Sequence, residues 1–297
     1  MAFPIHELAA LGTALCWATT ALFASGPAGW LGAAAFTRVR QIAATLMLAL
    51  TVGLLGTWRE LTAEMMLPLI LSGLVGITLG DTLNFATVVR IGPRRAGVLF
   101  ALNAPIAALL GFLFLGETLS AQGVAGIAVC FLGTALAIRF GGTGGHVLEN
   151  ITGKYAIGIA FGLLAASGQA IGSVLSRPLM QAGLDPFAAS LVRVGFAGVA
   201  LSLLMQLPVA AFRQRNPLNA RVLWQTVGIA FLGLMVGMTL MLYALEGGKV
   251  GIITTLTATS PALILPLLWL RTGQRPAPGA WAGAALVIAG MALIFTR

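Results

Sequence analysis

Charge is what this sequence most lacks. Only 8% of its 297 residues are Asp, Glu, Lys or Arg, and just 8 are acidic, whereas soluble proteins carry about 25% because their surfaces face water. With 59% hydrophobic residues and a mean hydropathy of +0.98, the chain has too little polar surface to cover itself, which excludes a soluble globular fold. Cysteine is scarce too: Cys16 and Cys130 both lie in apolar runs, as small buried hydrophobes rather than a disulfide or metal site. Histidine is limited to His6 and His146, with no ligand cluster behind them. No nucleophile–base set or phosphate loop is present, so no cofactor, metal or enzymatic activity is expected. Residues 1–6 contain no Lys or Arg, so the first apolar run reads as a retained helix rather than a cleaved signal. The net charge of +9 is scattered over helix ends and short loops, which excludes a nucleic-acid-tracking patch.

What is present is a succession of apolar runs. A helix crosses the roughly 30 Å hydrocarbon core with about 17–25 residues. Runs of that kind fall at about 7–26, 32–55, 65–88, 96–115, 121–139, 154–178, 186–207, 222–245, 251–270 and 279–295. They predict an all-α integral membrane protein with ten transmembrane helices. Pro27-Ala28-Gly29 and Gly92-Pro93 mark short joints, and the longest breaks are 140–153 and 208–221.

The first long break falls near the midpoint, and the two sides match in order. The run from Leu11-Gly12 to Ala18 pairs with Phe161-Gly162 to Gly168, Arg38 with Arg193, Gly80-x-Thr82-Leu83 with Gly237-x-Thr239-Leu240, and Pro105 with Pro261. The closing stripes Gly126…Gly133 and Gly283…Gly290 keep one spacing. An internal repeat follows, 8–139 and 155–296. Five helices per repeat is odd, so the second repeat enters the membrane inverted, the common plan of secondary transporters with a solute site near mid-membrane.

Loops on the two faces differ in positive charge. One set, with adjoining helix ends, holds Arg38, Arg40, Arg90, Arg94, Arg95, Arg139, Lys154, Arg213, Arg215, Arg221, Arg271 and Arg275. The other holds Arg59, Arg177, Arg193, Lys249 and Arg297, a division of 12 against 5. Positive residues stay cytoplasmic, so both termini are expected outside a bacterial inner (cytoplasmic) membrane; Arg38 and Arg193 read either as topological charges or as buried structural residues.

Polar groups within the spans are the candidate site. Asp81 is the one carboxylate well inside a span, where ionised groups usually face a cavity or a partner. It reads as a proton-coupling group, a contact for a substrate amine, or a structural charge paired with Arg90 or Arg94. Gly73, Gly76, Gly80 and Asn84 share one helical face, either a packing seam or a cavity wall beginning at Asn84. Gly158, Gly162, Ala165, Gln169 and Gly172 repeat that pattern, with Gln169 mid-span. Trp17 and Tyr243 each bring an apolar body and one donor into the inner part of a span. Asn103-Ala104-Pro105 and Thr259-Ser260-Pro261 occupy equivalent positions, where proline frees a helix carbonyl. Thr254, Thr255 and Thr257 can bond their own backbone. Glu117 reads as a helix cap or a partner across a loop.

At Trp17-Ala18, Arg38 and Arg193, Ala104-Pro105, Phe114-Leu115-Gly116-Glu117 and the closing glycine stripes, the chain resembles EamA-type members of the drug/metabolite transporter superfamily, built of ten helices from two five-helix repeats. The resemblance covers nearly the whole chain. The second half departs from it at Thr272-Gly273-Gln274, where Glu117 would recur. It implies a cavity bordered by helices one, three, four, six, eight and nine, with five and ten packed outside, which makes Trp17, Asn84, Asn103, Gln169, Tyr243, Thr259 and Ser260 the lining candidates. Eukaryotic sugar-phosphate relatives keep both termini in the cytosol, opposite to the charge pattern here. The candidate lining is neutral and lacks the central Lys/Arg set that a phosphorylated sugar requires. An exporter of small neutral or zwitterionic metabolites, such as aromatic or apolar amino acids, is therefore expected. A multidrug, organic-cation or nucleoside-like transporter and a non-transporting accessory membrane protein are the alternatives. The expected partners are a small solute, membrane lipid and, where Asp81 couples transport, protons; a monomer suffices and no nucleic acid is involved.

Overall fold

The structure, a computed structural model, describes residues 4–91, 93–140, 155–209, 213–272 and 277–295. The glycine-rich break with His146 and Lys154, the Gly273-Gln274 departure, Arg275 and Arg297 lie outside the described residues, as does the side chain of Pro261. Every regular element described is helical. In order they are α1 (Ile5–Leu31), α2 (Ala33–Leu55), a 3-10 turn (Thr57–Glu60), α3 (Ala63–Gly73), a π turn (Leu74–Leu79), α4 (Gly80–Ile91), α5 (Pro93–Ala101), α6 (Asn103–Leu115) and α7 (Ala121–Phe140). The second half follows with α8 (Tyr155–Gln181), α9 (Pro186–Leu204), α10 (Ala220–Ala230), a second π turn (Phe231–Gly237), α11 (Met238–Gly247), α12 (Val250–Thr257), α13 (Ser260–Thr272) and α14 (Pro278–Phe295).

Placed end to end, these segments make ten rods, because α3–α4, α5–α6, α10–α11 and α12–α13 each continue one another. Among the described residues, six stretches are long and apolar enough to cross a membrane: Ile5–Ala24, Ala33–Leu55, Ala63–Val88, Tyr155–Gln181, Pro186–Leu204 and Ala220–Gly247. Leu99–Leu115, Ala121–Ala137 and Pro278–Ile294 are apolar but shorter, about 25 Å at 1.5 Å per residue. The protein is thus a multi-pass membrane protein. Along α2, Leu46, Leu50 and Leu54 are 67, 65 and 79% exposed on one face, an arrangement that lipid solvates and water does not.

The joint expected at Pro27 is not where the chain turns. Pro27 lies inside α1, which runs on to Leu31, and the reversal is made by Gly32 at φ 86°, a left-handed conformation open to a residue without Cβ. Proline is tolerated there because it removes one hydrogen bond close to the helix end. Asp185 and Asn219 start α9 and α10 by accepting hydrogen bonds from the Ala188 and Val222 amides, at 2.8 and 2.9 Å, the standard use of Asp and Asn as N-caps.

The two halves meet helix to counterpart helix: α2 packs on α9, α6 on α12, and α7 on α14, while α1 lies along α11 and α8 along α3 and α4. Lipid-immersed helices gain from close backbone approach rather than from hydrophobic transfer, and glycine supplies it at these contacts. A methyl group at Gly133 would stand 2.7 Å from the Val287 amide nitrogen and 2.8 Å from the Gly283 carbonyl; one at Gly290 would stand 2.7 Å from the Cys130 nitrogen. The closing glycine stripes are therefore the seam that clamps α7 to α14.

Candidate functional site

Both third rods break into a π turn at the same repeat position, Leu74–Leu79 in one half and Phe231–Gly237 in the other. A π turn holds one residue more than an α turn, which misaligns neighbouring carbonyls and is frequent at functional sites. In the second half those carbonyls are claimed by α1: Trp17 Nε1 donates to Gly233 O at 3.1 Å and Thr13 Oγ1 to Gly237 O at 3.0 Å. In the first half α8 lies against the turn. A methyl at Gly168 would stand 2.7 Å from Val75 O, and one at Gly172 3.0 Å from the Gly76 Cα. Ser72 adds a donor to Gly172 O at 2.6 Å and meets Ser176 Oγ at 2.8 Å. The Gly73–Gly76–Gly80 stripe is thus filled by backbone packing. Asn84, one turn further along α4, is half-buried.

The fourth and ninth rods break at equivalent places, at Leu102 between α5 and α6 and at Ala258-Thr259 between α12 and α13, each just before the prolines Pro105 and Pro261. Asn103 Nδ2 donates to Phe100 O at 2.7 Å, while its Oδ1 is buried without a partner. Thr259 Oγ1 donates to Leu256 O and Ser260 Oγ to Thr257 O, both at 2.6 Å. Thr254, Thr255 and Thr257 likewise bond their own helix. Beside the breaks, Ala101, Ala104, Cys130, Phe131, Thr134, Thr255 and Ala258 line a small pocket with room for about one water molecule.

The other lining candidates are dispersed. Gln169 is buried, its Nε2 reaching Met241 Sδ at 3.7 Å, beside the first π turn. Tyr243 lies midway along α11, where its ring meets that of His6 at 5.1 Å and its carbonyl accepts from His6 Nδ1 at 3.1 Å. Trp17 and Gln169 flank the π turns and Asn103 and Thr259 the helix breaks; Tyr243 belongs to neither group.

The expectation of an interior free of Lys and Arg is corrected by the structure. Arg40, Arg177 and Arg193 are all buried. Asp81 is ion-paired with Arg40 across α4 and α2, not with Arg90; the side chain of Arg94 lies outside the described residues. Arg90 instead stands 5.4 Å over the Phe161 ring, and the Arg40 guanidinium lies 5.8 and 5.3 Å from the Phe36 and Phe85 rings, which hold it at Asp81. Arg193, midway along α9, is wholly buried beside the first π turn: a methyl at Gly76 would stand 3.6 Å from its Nη2. Burial of Arg193, inside an unbroken apolar run, was one of the two readings open in the sequence; counting by nearness to loops hid the burial of Arg40 and Arg177.

Glu117 joins the halves. Its carboxylate accepts from Arg177 Nε at 3.0 Å and from the Val250 amide at 2.7 Å, at the start of α12. Arg177 also donates to the Leu245 and Glu246 carbonyls, and Lys249 to the Thr118 carbonyl. On the other face, Arg215 N donates to Leu31 O at 3.0 Å, Asn216 Nδ2 to Trp30 O and Trp30 Nε1 to Pro217 O, both at 2.9 Å.

The chain matches the family described as the EamA-like transporter family twice, over residues 5–139 and 156–296. It is 29% identical over 275 residues to a probable terminal-alkyne amino-acid exporter of Streptantibioticus cattleyicolor, covering 90% of this chain and 85% of that protein. An uncharacterized transporter of Bacillus subtilis, YxxF, is 28% identical over 191 residues, 64% of this chain and 57% of the relative. One crystal structure superposes with a TM-score of 0.76 at 19% identity, covering 97% of this chain and 95% of the other, a likeness of fold.

Proposed function

Because the chain belongs to the EamA-like transporter family, and is a transporter of small molecules, we propose that it exports small neutral or zwitterionic metabolites, aromatic or apolar amino acids foremost. The observation that carries this reading is the set of paired interruptions, π turns in rods three and eight and breaks in rods four and nine, arranged where the repeats meet. Helices broken in matching positions of two repeats are the usual surroundings of a transported solute. A relative named a probable terminal-alkyne amino-acid exporter supports the same reading. The buried charge disfavours an organic cation: Arg40 and Arg193 outnumber Asp81, so the interior repels a further positive group.

The orientation with both termini outside the inner membrane gains support from burial. Buried Arg40, Arg177 and Arg193 are packed side chains and say nothing about topology. Setting them aside leaves 11 positive residues on one face against Arg59, Lys249 and Arg297 on the other, a stronger cytoplasmic bias.

Purified protein in proteoliposomes, offered radiolabelled amino acids, organic cations and nucleosides, tests the reading. Phenylalanine or leucine flux well above the protein-free rate is the expected result. Flux of cations or nucleosides alone would replace the amino-acid assignment, and no flux of any solute would favour an accessory protein.

A further inference from the structure

Arg193 is a fully buried side chain with almost nothing to bind. Its Nη1 meets only Met238 Sδ at 3.4 Å, and Nε and Nη2 have no acceptor. A guanidinium carries five donors and keeps its charge at any physiological pH, so leaving it unpaired in a low-dielectric interior is unfavourable. The nearby anion is Asp81, which is in electrostatic range of Arg193 but hydrogen-bonded to Arg40. Two cations thus share one carboxylate. The facing helix holds more unmet polar atoms: Arg40 Nε, Thr37 Oγ1 and both amide atoms of Gln41 are buried without partners. Thr37, Arg40 and Gln41 lie on α2, which packs along α9. Native interiors leave few such atoms, and six of the nine found among the described residues belong to α2 and α9.

The place is central. Gly76 of the first π turn adjoins the Arg193 guanidinium, and Met238 follows the second π turn directly. We infer that Arg193 receives the carboxylate of the transported solute, while Asp81 keeps Arg40 occupied so that Arg193 is the guanidinium left free. This rests on the amino-acid reading above. A planar guanidinium takes a carboxylate through two parallel N–H donors, which matches the donors left over. Since Arg193 is sealed in this conformation, the solute reaches it when the halves part on one side.

The test is competition in phenylalanine-loaded proteoliposomes. 3-Phenylpropionate keeps the carboxylate without the amine; phenethylamine and phenylalaninamide lack the carboxylate. Phenylpropionate is expected to compete with phenylalanine, and the other two to be weaker by roughly 10- to 100-fold, the usual reach of hydrogen bonds to a charged group. Arg193→Gln is expected to abolish that discrimination and Arg193→Lys to keep part of it. The wild-type competition decides without any variant, should Arg193→Gln fail to fold. If the wild-type protein moves phenylalanine but the amine and amide compete as well as the acid, or if Arg193→Gln keeps the acid preference, this inference falls and the amino-acid reading survives. If the wild-type protein moves amines and no amino acid, both fall together.

Discussion

Replacing Glu117 by Gln removes the charge that ties the two repeats together on one face. The carboxylate now accepts from Arg177 Nε at 3.0 Å and from the Val250 amide at 2.7 Å, with side-chain exposures of 12% for Glu117 and 5% for Arg177. Gln has a single acceptor oxygen, so its NH2 must face one of those two donors. Removing one partner of a buried ion pair typically costs about 3–5 kcal/mol because the other charge is stranded. Arg177 keeps the Leu245 and Glu246 carbonyls, which reduces the expected loss to about 2 kcal/mol. At roughly 2–4 °C per kcal/mol for a large chain, the apparent Tm should drop by about 4–8 °C. Circular dichroism of the detergent-purified protein reads the transition, with Glu64→Gln, on the exposed start of α3, as the control. Replacing both partners with apolar residues, Glu117→Leu with Arg177→Met, should recover most of the loss, since nothing charged is then left unpaired. A drop for Glu117→Gln no larger than the control's, or a double variant as unstable as the two single losses added, would refute the picture of a latch.

Four further outcomes are expected. Gly283→Ala should destabilise by about 1–3 kcal/mol, the usual cost of overpacking, since its methyl would stand 2.7 Å from the Ala137 Cα and the Gly133 carbonyl; Gly228→Ala, with nothing within 4 Å, should be neutral or stabilising, and equal effects in thermal melts would sink the seam argument. Trp17→Phe should cost about 1–2 kcal/mol by leaving Gly233 O without its donor, measured in the same melts against Trp224→Phe on the exposed face of α10. Asp81→Asn strands Arg40 beside an already unpaired Arg193 and should lower stability by about 3 kcal/mol, partly restored by adding Arg40→Met; a neutral single variant would remove the ion pair from the account. Cysteines placed at Gln214 and Thr62, both exposed, should react with an external membrane-impermeant maleimide at Thr62 only, and the reverse labelling would invert the topology.

Much of the fold was legible because membrane insertion writes itself into composition. Apolar runs, the paired order of Gly80 and Gly237, and the matched Ala104-Pro105 and Ser260-Pro261 positions all survive as elements or breaks. The closing glycine stripes were readable for the same reason, since only a residue without Cβ permits that backbone approach. Pro27 misled, because a proline near a helix end is cheap and leaves the turn to Gly32. The π turns left no distinctive letters: an extra residue in a turn depends on which neighbours can satisfy the displaced carbonyls, and those neighbours, Trp17 and Thr13, come from more than 200 residues away.

The sequence by itself determined a multi-pass helical membrane chain with two repeats, because hydrophobicity over 20 residues and glycine or proline at fixed places are local properties. Only the tertiary structure decided where the charges stand. An arginine eight residues into an apolar run reads alike whether it snorkels or is buried, and the difference lies in what the opposite helix offers. Phe36, Phe85 and Asp81 hold Arg40, and Glu117 holds Arg177. Arg193 is offered only a thioether, and that unmet charge turns a neutral-looking interior into one with a place for a carboxylate.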